Sequence, residues 1–260
     1  MILTGALAVC TLMLVLWLIH FPMRNAAIVD VGWAGGLALL GILYAALGDG
    51  LAVRRYLIGG MAAVWGLRLA LHLLTDRILG HPEEGRYQEL RRKWGTNIEL
   101  KFFFFYQFQA VLCMVLAAPY YLAARNPAPE LGWLEWAGLG VWLVGVCGES
   151  MADRQLAKFK HNPANRGKTC QAGLWNYSRH PNYFFEWLIW MGFALFALMA
   201  PYGYTGLISP ALILYFLLKV TGIPATEEQA LRSRGEEYRR YQETTSVFIP
   251  WFKLRKENEG

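Results

Sequence analysis

Charge is scarce in this sequence. Only 17% of its 260 residues are Asp, Glu, Lys or Arg, while 55% are apolar. That balance excludes an ordinary soluble domain and an intrinsically disordered chain. Cysteine is scarce too. Cys10, Cys113 and Cys147 fall in apolar stretches and Cys170 in a loop, with no C-x-x-C or C-x-x-H spacing. Neither a disulfide framework nor a metal site is therefore expected. The chain has no G-x-G-x-x-G, no P-loop, no internal repeat and no low-complexity segment. No basic segment precedes the first apolar run and no small-residue cleavage site follows it, so that run reads as a retained helix rather than a removed signal peptide. Basic residues outnumber acidic ones, for a net charge of +6. They cluster in a few loops, which points to anionic lipid head groups or a phosphorylated ligand and away from nucleic acid.

Long apolar runs dominate what is present. Seven can be marked, at about 2–20, 27–47, 56–75, 102–124, 131–148, 183–200 and 205–223, each near the ~20 residues that a membrane-crossing helix needs. The expected fold is all-α: a polytopic membrane protein of seven transmembrane helices, with cytoplasmic loops and a C-terminal cytoplasmic helix. It forms a single domain over 1–260, in which 2–20 is a peripheral anchor and 27–252 carries the bundle and the tail. Cations concentrate at Arg24, in the 77–101 and 154–179 loops and after 223, whereas the opposite side has only Arg54, Arg55 and Arg125. Positive-inside bias then puts the large loops and the C-terminus in the cytoplasm and the N-terminus outside.

Polar residues inside the spans narrow the chemistry. Asp30 sits near the start of the second span. It is either an interfacial acid capping the helix against a basic loop or a buried acid kept protonated in dry surroundings, with a proton to donate. Arg68, His72 and Asp76 follow at i, i+4 and i+8 on the third span and share one face. A mid-span arginine faces the bundle interior or a wet cavity, and an Arg68–Asp30 pair is one structural use for it. The 80–101 loop reads as a turn, a short helix and a mostly solvated face, and Phe102 to Phe105 as an aromatic membrane-interface belt. Beyond the fifth span, Asp153, Lys158 and Lys160 are either an ordinary charged helix extension or, with Arg166 and Lys168, a phosphate-binding face.

The densest polar run is Asn176-Tyr177-Ser178-Arg179-His180-Pro181-Asn182-Tyr183, leading straight into an apolar span. Gly173 and Leu174 make a turn, and Pro181 suits the first turn of a helix, whose free N–H groups favour an anion. Arg179 and His180 add donors, and Asn182, Tyr183 and Glu186 share a helical face. After the last span, Thr226-Glu227-Glu228-Gln229 has the pattern of a capping box with Thr226 as N-cap. The tail helix it opens should run to about Tyr241, with Tyr238 and Tyr241 on one side, and the two acids could also hold ribose hydroxyls. Phe248 to Phe252 returns to the membrane interface, and the closing charged run reads as frayed.

These residues together resemble the steroid 5α-reductase-like family, in particular its bacterial branch of integral membrane proteins. The resemblance rests on Asp30-Val31-Gly32-Trp33, Trp65-Gly66-Leu67-Arg68, Ser178-Arg179-His180-Pro181-Asn182-Tyr183 with Glu186, and Glu227-Glu228 with Tyr238, Tyr241 and Ile249-Pro250. The Arg-His-Pro-x-Tyr element is also shared with isoprenylcysteine carboxyl methyltransferases. The resemblance implies a seven-helix enzyme of the bacterial inner membrane. With NADPH it would reduce a carbon–carbon double bond conjugated to a carbonyl in a lipophilic substrate of the 3-oxo-steroid type. It implies cofactor contacts at Asp153, Lys160, Arg179, His180, Asn182, Tyr183, Glu186, Glu227, Glu228, Tyr238 and Tyr241, and a catalytic group of Asp30, Trp65 and Arg68. Asp30 stands where the animal steroid enzymes have a Glu. Trp65 stands where they have a ketone-polarising Tyr, and the tail lacks their His. Both departures bear on a 3-oxo-steroid substrate; a quinone, isoprenoid or fatty enone would fit the same apolar interior.

The expected mechanism has protonated Asp30 polarising the carbonyl, with Arg68 or Trp65 assisting, and hydride adding at the β-carbon. Two other classes stay open: an S-adenosylmethionine-dependent methyltransferase, whose cofactor carries no phosphate, and a non-enzymatic lipid-binding or transport protein.

Overall fold

The computed structural model describes residues 1–253, so the closing run from 254 lies outside the described residues. Among the described residues eleven α-helices follow one another: α1 Ile2–Met23, α2 Ile28–Leu47, α3 Ala52–Leu73, α4 Gly85–Trp94, α5 Ile98–Leu116, α6 Ala118–Ala124, α7 Trp133–His161, α8 Pro181–Ala197, α9 Ile208–Tyr215, α10 Ile223–Arg234 and α11 Glu236–Thr244. The described residues contain no β-strand, only an isolated parallel bridge between Ser178 and Ser246. The all-α expectation holds.

Among the described residues, five helical runs are long and apolar enough to cross a membrane: Ile2–Met23, Ile28–Leu47, Ala52–Ile78, Ile98–Leu116 and Gly203–Arg234. They mark an integral membrane protein. The expected fifth and sixth spans also fold as helices, α7 and α8. The apolar part of α7 contains Glu135 and Glu149, and α8 has 17 residues, so neither joins the five on length and composition. The expected fourth span is broken. Its helix stops at Leu116 and restarts as α6, because Pro119 in the new first turn has no N–H to continue the ladder. The fifth run is also compound: a 3-10 turn Gly203–Leu207, α9, a π turn Phe216–Val220, then a backbone break at Gly222 before polar α10.

The chain divides into two compact units. Unit 1 comprises Met1–Glu135 with Phe196–Ser209, and unit 2 comprises Trp136–Leu195 with Pro210–Gly260.

Unit 1 is built on the contact of α2 with α3. Small residues let the two backbones approach. A Cβ on Gly41 would lie 2.3 Å from that of Ala62, and one on Gly66 would lie 2.7 Å from the carbonyl oxygen of Ala34. Without a hydrophobic driving force between apolar helices in lipid, such close packing carries much of the association. α1 lies on α2 through Gly32 and Gly36, against Met13, Leu16 and Val9. The indole of Trp65 is fully buried, edge-on to Trp33 at 6.0 Å.

The tightest polar knot of unit 1 sits at the start of α3. Arg54 has no exposed surface. It ion-pairs with Glu135, which is 2% exposed, and donates to the carbonyls of Asn126 (3.0 Å) and Ala128 (2.8 Å). One guanidinium thus pins the loop between α6 and α7 to α3, which explains a buried charge that had looked like an ordinary loop cation.

The 80–101 segment is mostly exposed, as expected, although Tyr87 is buried and Glu83 accepts the backbone N–H of Ala26 at 2.7 Å. One other expectation changes. Of the Phe102–Phe105 run, only Phe104 is largely exposed. Phe102 is buried beneath the Arg91 guanidinium, 4.7 Å from its ring centre, so it is core rather than interface belt.

Unit 2 holds α7 against α8. A Cβ on Gly145 would meet Ile189 at 2.6 Å and one on Gly148 would meet Phe185 at 2.3 Å. In the tail, the capping-box reading of Thr226 is overturned. Helix α10 starts earlier, at Ile223 with Pro224 in its first turn, and Thr226 lies inside, donating its hydroxyl to the Gly222 carbonyl at 2.9 Å. Proline's preset φ starts the helix upstream of the threonine. The tail is also two helices rather than one, parted by Gly235 at φ 55°, a conformation that glycine adopts without strain.

The Arg54–Glu135 knot generates a prediction. Arg54→Ala is expected to destabilise the protein by about 3–5 kcal/mol, because it strands a buried carboxylate. The double change Arg54→Met with Glu135→Leu should cost less than either single change. Unfolding midpoints in detergent would show this, and an Arg54→Ala effect within about 0.5 kcal/mol would refute the assignment.

Candidate functional site

In unit 2, the polar run before α8 is held from two sides. Gly173 turns the chain at φ 59° against the Gln155 side chain, whose Oε1 accepts the Leu174 N–H at 2.8 Å. The Trp175 indole donates to the Ala152 carbonyl on α7 at 2.9 Å. From the other side, the Ser178 hydroxyl donates to the Phe248 carbonyl at 2.8 Å, the Arg179 N–H to the Ser246 carbonyl at 2.8 Å, and the Trp251 N–H to the Tyr177 carbonyl at 2.9 Å. Ser178 Oγ also accepts the His180 N–H at 3.1 Å, and α8 then opens on Pro181.

Glu227 on α10 is the hub of this region. Its Oε1 accepts from Arg179 Nε at 2.6 Å and lies 3.3 Å from His180 Nε2 and 3.4 Å from the Tyr238 hydroxyl. Its Oε2 accepts from Gln242 Nε2 at 2.8 Å. Arg179 also donates to the carbonyls of Gln242 (2.7 Å) and Thr245 (3.0 Å). One carboxylate therefore joins the entry to α8 with both tail helices. Glu228, a helical step further round, points outward and pairs with Arg232 at 2.5 Å. The two adjacent acids have different jobs.

The tail tyrosines keep their protons. Burial pushes the Tyr238 phenol well above its ordinary range, and the Glu227 carboxylate pushes it further; Tyr241 is raised by burial and then by Tyr238. Tyr241 donates to the Trp175 carbonyl and lies 3.1 Å from the Ser178 carbonyl, so it is a structural strut.

The first turns of α8 carry the remaining polar groups. The Tyr183 ring stacks on His180 at 5.4 Å, and its hydroxyl is 3.3 Å from Thr226 Oγ1. The Thr226 hydroxyl is already donated to Gly222, so Tyr183 is the donor in this contact. Glu186 Oε1 accepts the Trp190 indole N–H at 2.9 Å. Asn182 stands one turn before Glu186, and its Oδ1 is buried without a hydrogen-bond partner among the described residues. Such an acceptor carries a desolvation cost of about 1–3 kcal/mol until a donor meets it. Asp153 is half-buried on α7, and Lys160, Arg166 and Lys168 are exposed further along the chain.

In unit 1, Asp30 occupies the first turn of α2. Its Oδ1 accepts from the Tyr87 hydroxyl at 2.8 Å and its Oδ2 from the Arg86 guanidinium. Arg86 in turn lies over the Tyr87 ring, 4.8 Å from its centre. The cation on Asp30 is thus Arg86 of α4, where the sequence had offered Arg68. Both carboxyl oxygens accept from groups that bring their own protons, so the contact needs no proton on Asp30. Burial lowers the proton affinity of Arg86, but the neighbouring Asp30 and Tyr87 outweigh it, so the guanidinium stays charged. Burial, then the Asp30 charge, holds the Tyr87 phenol well above its ordinary value, so it remains a neutral hydrogen-bond donor. Trp65 is buried in the core and Arg68 is half-buried on α3. The sequence reading missed Tyr87, Arg86 and Gln242; the one available signal was the need of a buried Asp30 for a cation.

The Glu227 hub and the outward Glu228 should separate in stability. Glu227→Ala strands the Arg179 guanidinium and is expected to cost about 1–3 kcal/mol, whereas Glu228→Ala should stay within about 0.5 kcal/mol. Equal losses for the two variants in detergent unfolding would refute the hub.

No solved structure matches the chain. An uncharacterised protein of Schizosaccharomyces pombe is 27% identical over 213 residues, which are 72% of this chain and 61% of that protein. The chain therefore spans about three-fifths of the length of the curated relative it matches. A family model fits residues 16–245, nearly the whole of the chain, and on that match the protein belongs to the family described as protein of unknown function (DUF1295).

Proposed function

We propose that the protein is a membrane-embedded, NADPH-dependent reductase of a carbon–carbon double bond conjugated to a carbonyl in a lipophilic substrate. The observation that carries the reading is the Asn182–Glu186 stripe at the start of α8, where a buried amide oxygen lacks a donor. A carboxamide N–H is such a donor, and the nicotinamide ring carries one. The residues fit the group there. Asn182 would accept the carboxamide, with Glu186 and Tyr183 beside it. Lys160, Arg166 and Lys168 are the exposed cations available for phosphates. Arg179 and His180, engaged by Glu227, position the entry to α8 rather than bind phosphate. When bound, NADPH would supply a hydride to the β-carbon.

In unit 1, taken by itself, Asp30 and Tyr87 form a pair with the chemistry to polarise a carbonyl. Tyr87 has a single hydroxyl proton, which can turn from Asp30 to a carbonyl oxygen, and Asp30 keeps its Arg86 contact when it does. Tyr87 then stabilises the developing enolate, while Asp30 orients the phenol. In this reading a phenol is present although Trp65 stands where the steroid enzymes place one. In this reading α7 and α8 are two further crossings, making seven, with the basic loops and the C-terminus in the cytoplasm.

Two measurements test the proposal. In detergent, NADPH is expected to raise the unfolding midpoint, by about 2.7 kcal/mol of stabilisation at 100 times its dissociation constant. NADH should do less and S-adenosylmethionine nothing, and Asn182→Ala should weaken the NADPH effect. Stabilisation by S-adenosylmethionine alone would select methyl transfer instead. With an enone substrate found by turnover screening, Tyr87→Phe should lower the rate by about 10²–10³-fold, the usual cost of losing one oxyanion donor, and leave the NADPH-induced shift intact. Full turnover in Tyr87→Phe would remove the tyrosine from the mechanism.

A further inference from the structure

A cleft of about 350 Å³ opens where α1 ends, lined by His20, Phe21, Arg24, Glu83, Arg91 and Glu99. None of these residues takes part in the reductase reading. They come from the last turn of α1 and the residue beyond it, the turn before α4, α4 itself and the first turn of α5.

Most of the charge in the cleft is already engaged. Arg91 Nε meets both oxygens of Glu83, at 3.2 and 3.0 Å, and Arg91 Nη1 lies 3.5 Å from Glu99. Glu83 also holds the Ala26 N–H. Buried His20 places Nε2 2.9 Å from Glu99 Oε2 and Nδ1 against the Trp17 carbonyl. Two groups keep capacity. Arg24 is exposed in a left-handed conformation at φ 51°, and its side chain makes no hydrogen bond or ion pair among the described residues. Glu99 is 47% exposed, and a carboxylate has about four acceptor sites.

Arg24 and Arg91 balance Glu83 and Glu99, so a simple anion gains little net attraction in the cleft. A ligand with an anionic end and a cationic end gains at both open groups. The α1 surface leading to the cleft is apolar and exposed at Leu14, Leu18 and Phe21, the kind of face that acyl chains cover in a bilayer. We infer that this cleft binds a phosphoethanolamine group, carried by a membrane lipid, with its phosphate on Arg24 and its ammonium on Glu99. A primary ammonium donates three hydrogens to a carboxylate. A trimethylammonium donates none, so choline lipids do not meet the site.

The test uses the full chain in detergent, with lipid retention read by native mass spectrometry and stability by unfolding midpoint. Phosphatidylethanolamine is offered against phosphatidylcholine and phosphatidylglycerol. The wild type should retain phosphatidylethanolamine selectively. Arg24→Ala and Glu99→Gln should each reduce that retention about tenfold, the size of one charge-assisted hydrogen bond. The Arg24 side chain is exposed and without partners among the described residues, so Arg24→Ala should leave the ligand-free midpoint unchanged. It therefore keeps the test valid if Glu99→Gln, which also loosens His20, fails to fold. Stabilisation by the lipid but not by soluble O-phosphoethanolamine assigns a membrane lipid. Stabilisation by both equally assigns the site to a soluble phosphoamine and overturns the lipid source. Equal retention of the three lipids, preference for phosphatidylglycerol, or unchanged selectivity in Arg24→Ala overturns the inference.

Discussion

Carboxylates drawn out of water in so apolar a chain have to be matched, and among the described residues arginine does the matching at four of them. Glu135 is held by Arg54, Asp30 by Arg86, Glu83 by Arg91 and Glu227 by Arg179. Three of these pairs join residues far apart in the chain, and the fourth joins a turn to the helix that follows it. Arginine suits the role because its five donors can meet a carboxylate and several backbone carbonyls at once, as Arg54 and Arg179 both do. Removing one partner strands the other, so each pair fixes where its loop can lie.

The same matching decides which polar groups remain for chemistry. Around α8 a dense run of hydrogen-bonding side chains had looked like one binding surface. Most of it is scaffold. Ser178, Arg179 and His180 are engaged by the tail, Tyr241 of the tail reaches back to the Trp175 carbonyl, and Glu227 is engaged by Arg179, His180 and Gln242. What the scaffold leaves over is narrow: the Asn182 amide oxygen, one turn before the Glu186 carboxylate that accepts from Trp190. At Asp30 the cation is supplied by α4, and the phenol that comes with it is the group with a transferable hydrogen bond.

The spans were legible because burial in lipid writes itself as long apolar runs, and the start of α8 was legible because Pro181 and the residues before it obey local rules. The pairing of Asp30 was not. Arg86 lies 56 residues away in a segment whose charges look alike, and no periodicity marks which of them turns inward. Tyr87 was hidden for the same reason, since a lone aromatic in a charged helix has no pattern until its partner is known. Thr226 misled because its neighbours satisfy the capping-box pattern, while Pro224 had already started the helix. The break at Ala117 was written in the sequence, in Pro119, but inside a run apolar enough to read as one span.

The Arg-His-Pro-x-Tyr element acquires a physical explanation from this arrangement. A motif shared by enzymes that move a hydride and enzymes that move a methyl group is hard to understand as a set of catalytic contacts. It is easy to understand as a device that builds a helix entry. Arginine and histidine grip one glutamate of the tail, proline starts the helix, and tyrosine stacks on the histidine and reaches the tail through Thr226. The device fixes the backbone at the start of α8 whatever ligand lies next to it. On the reductase proposal, selectivity between cofactors comes from residues that the device leaves unspent, and at this helix the clearest of these is Asn182.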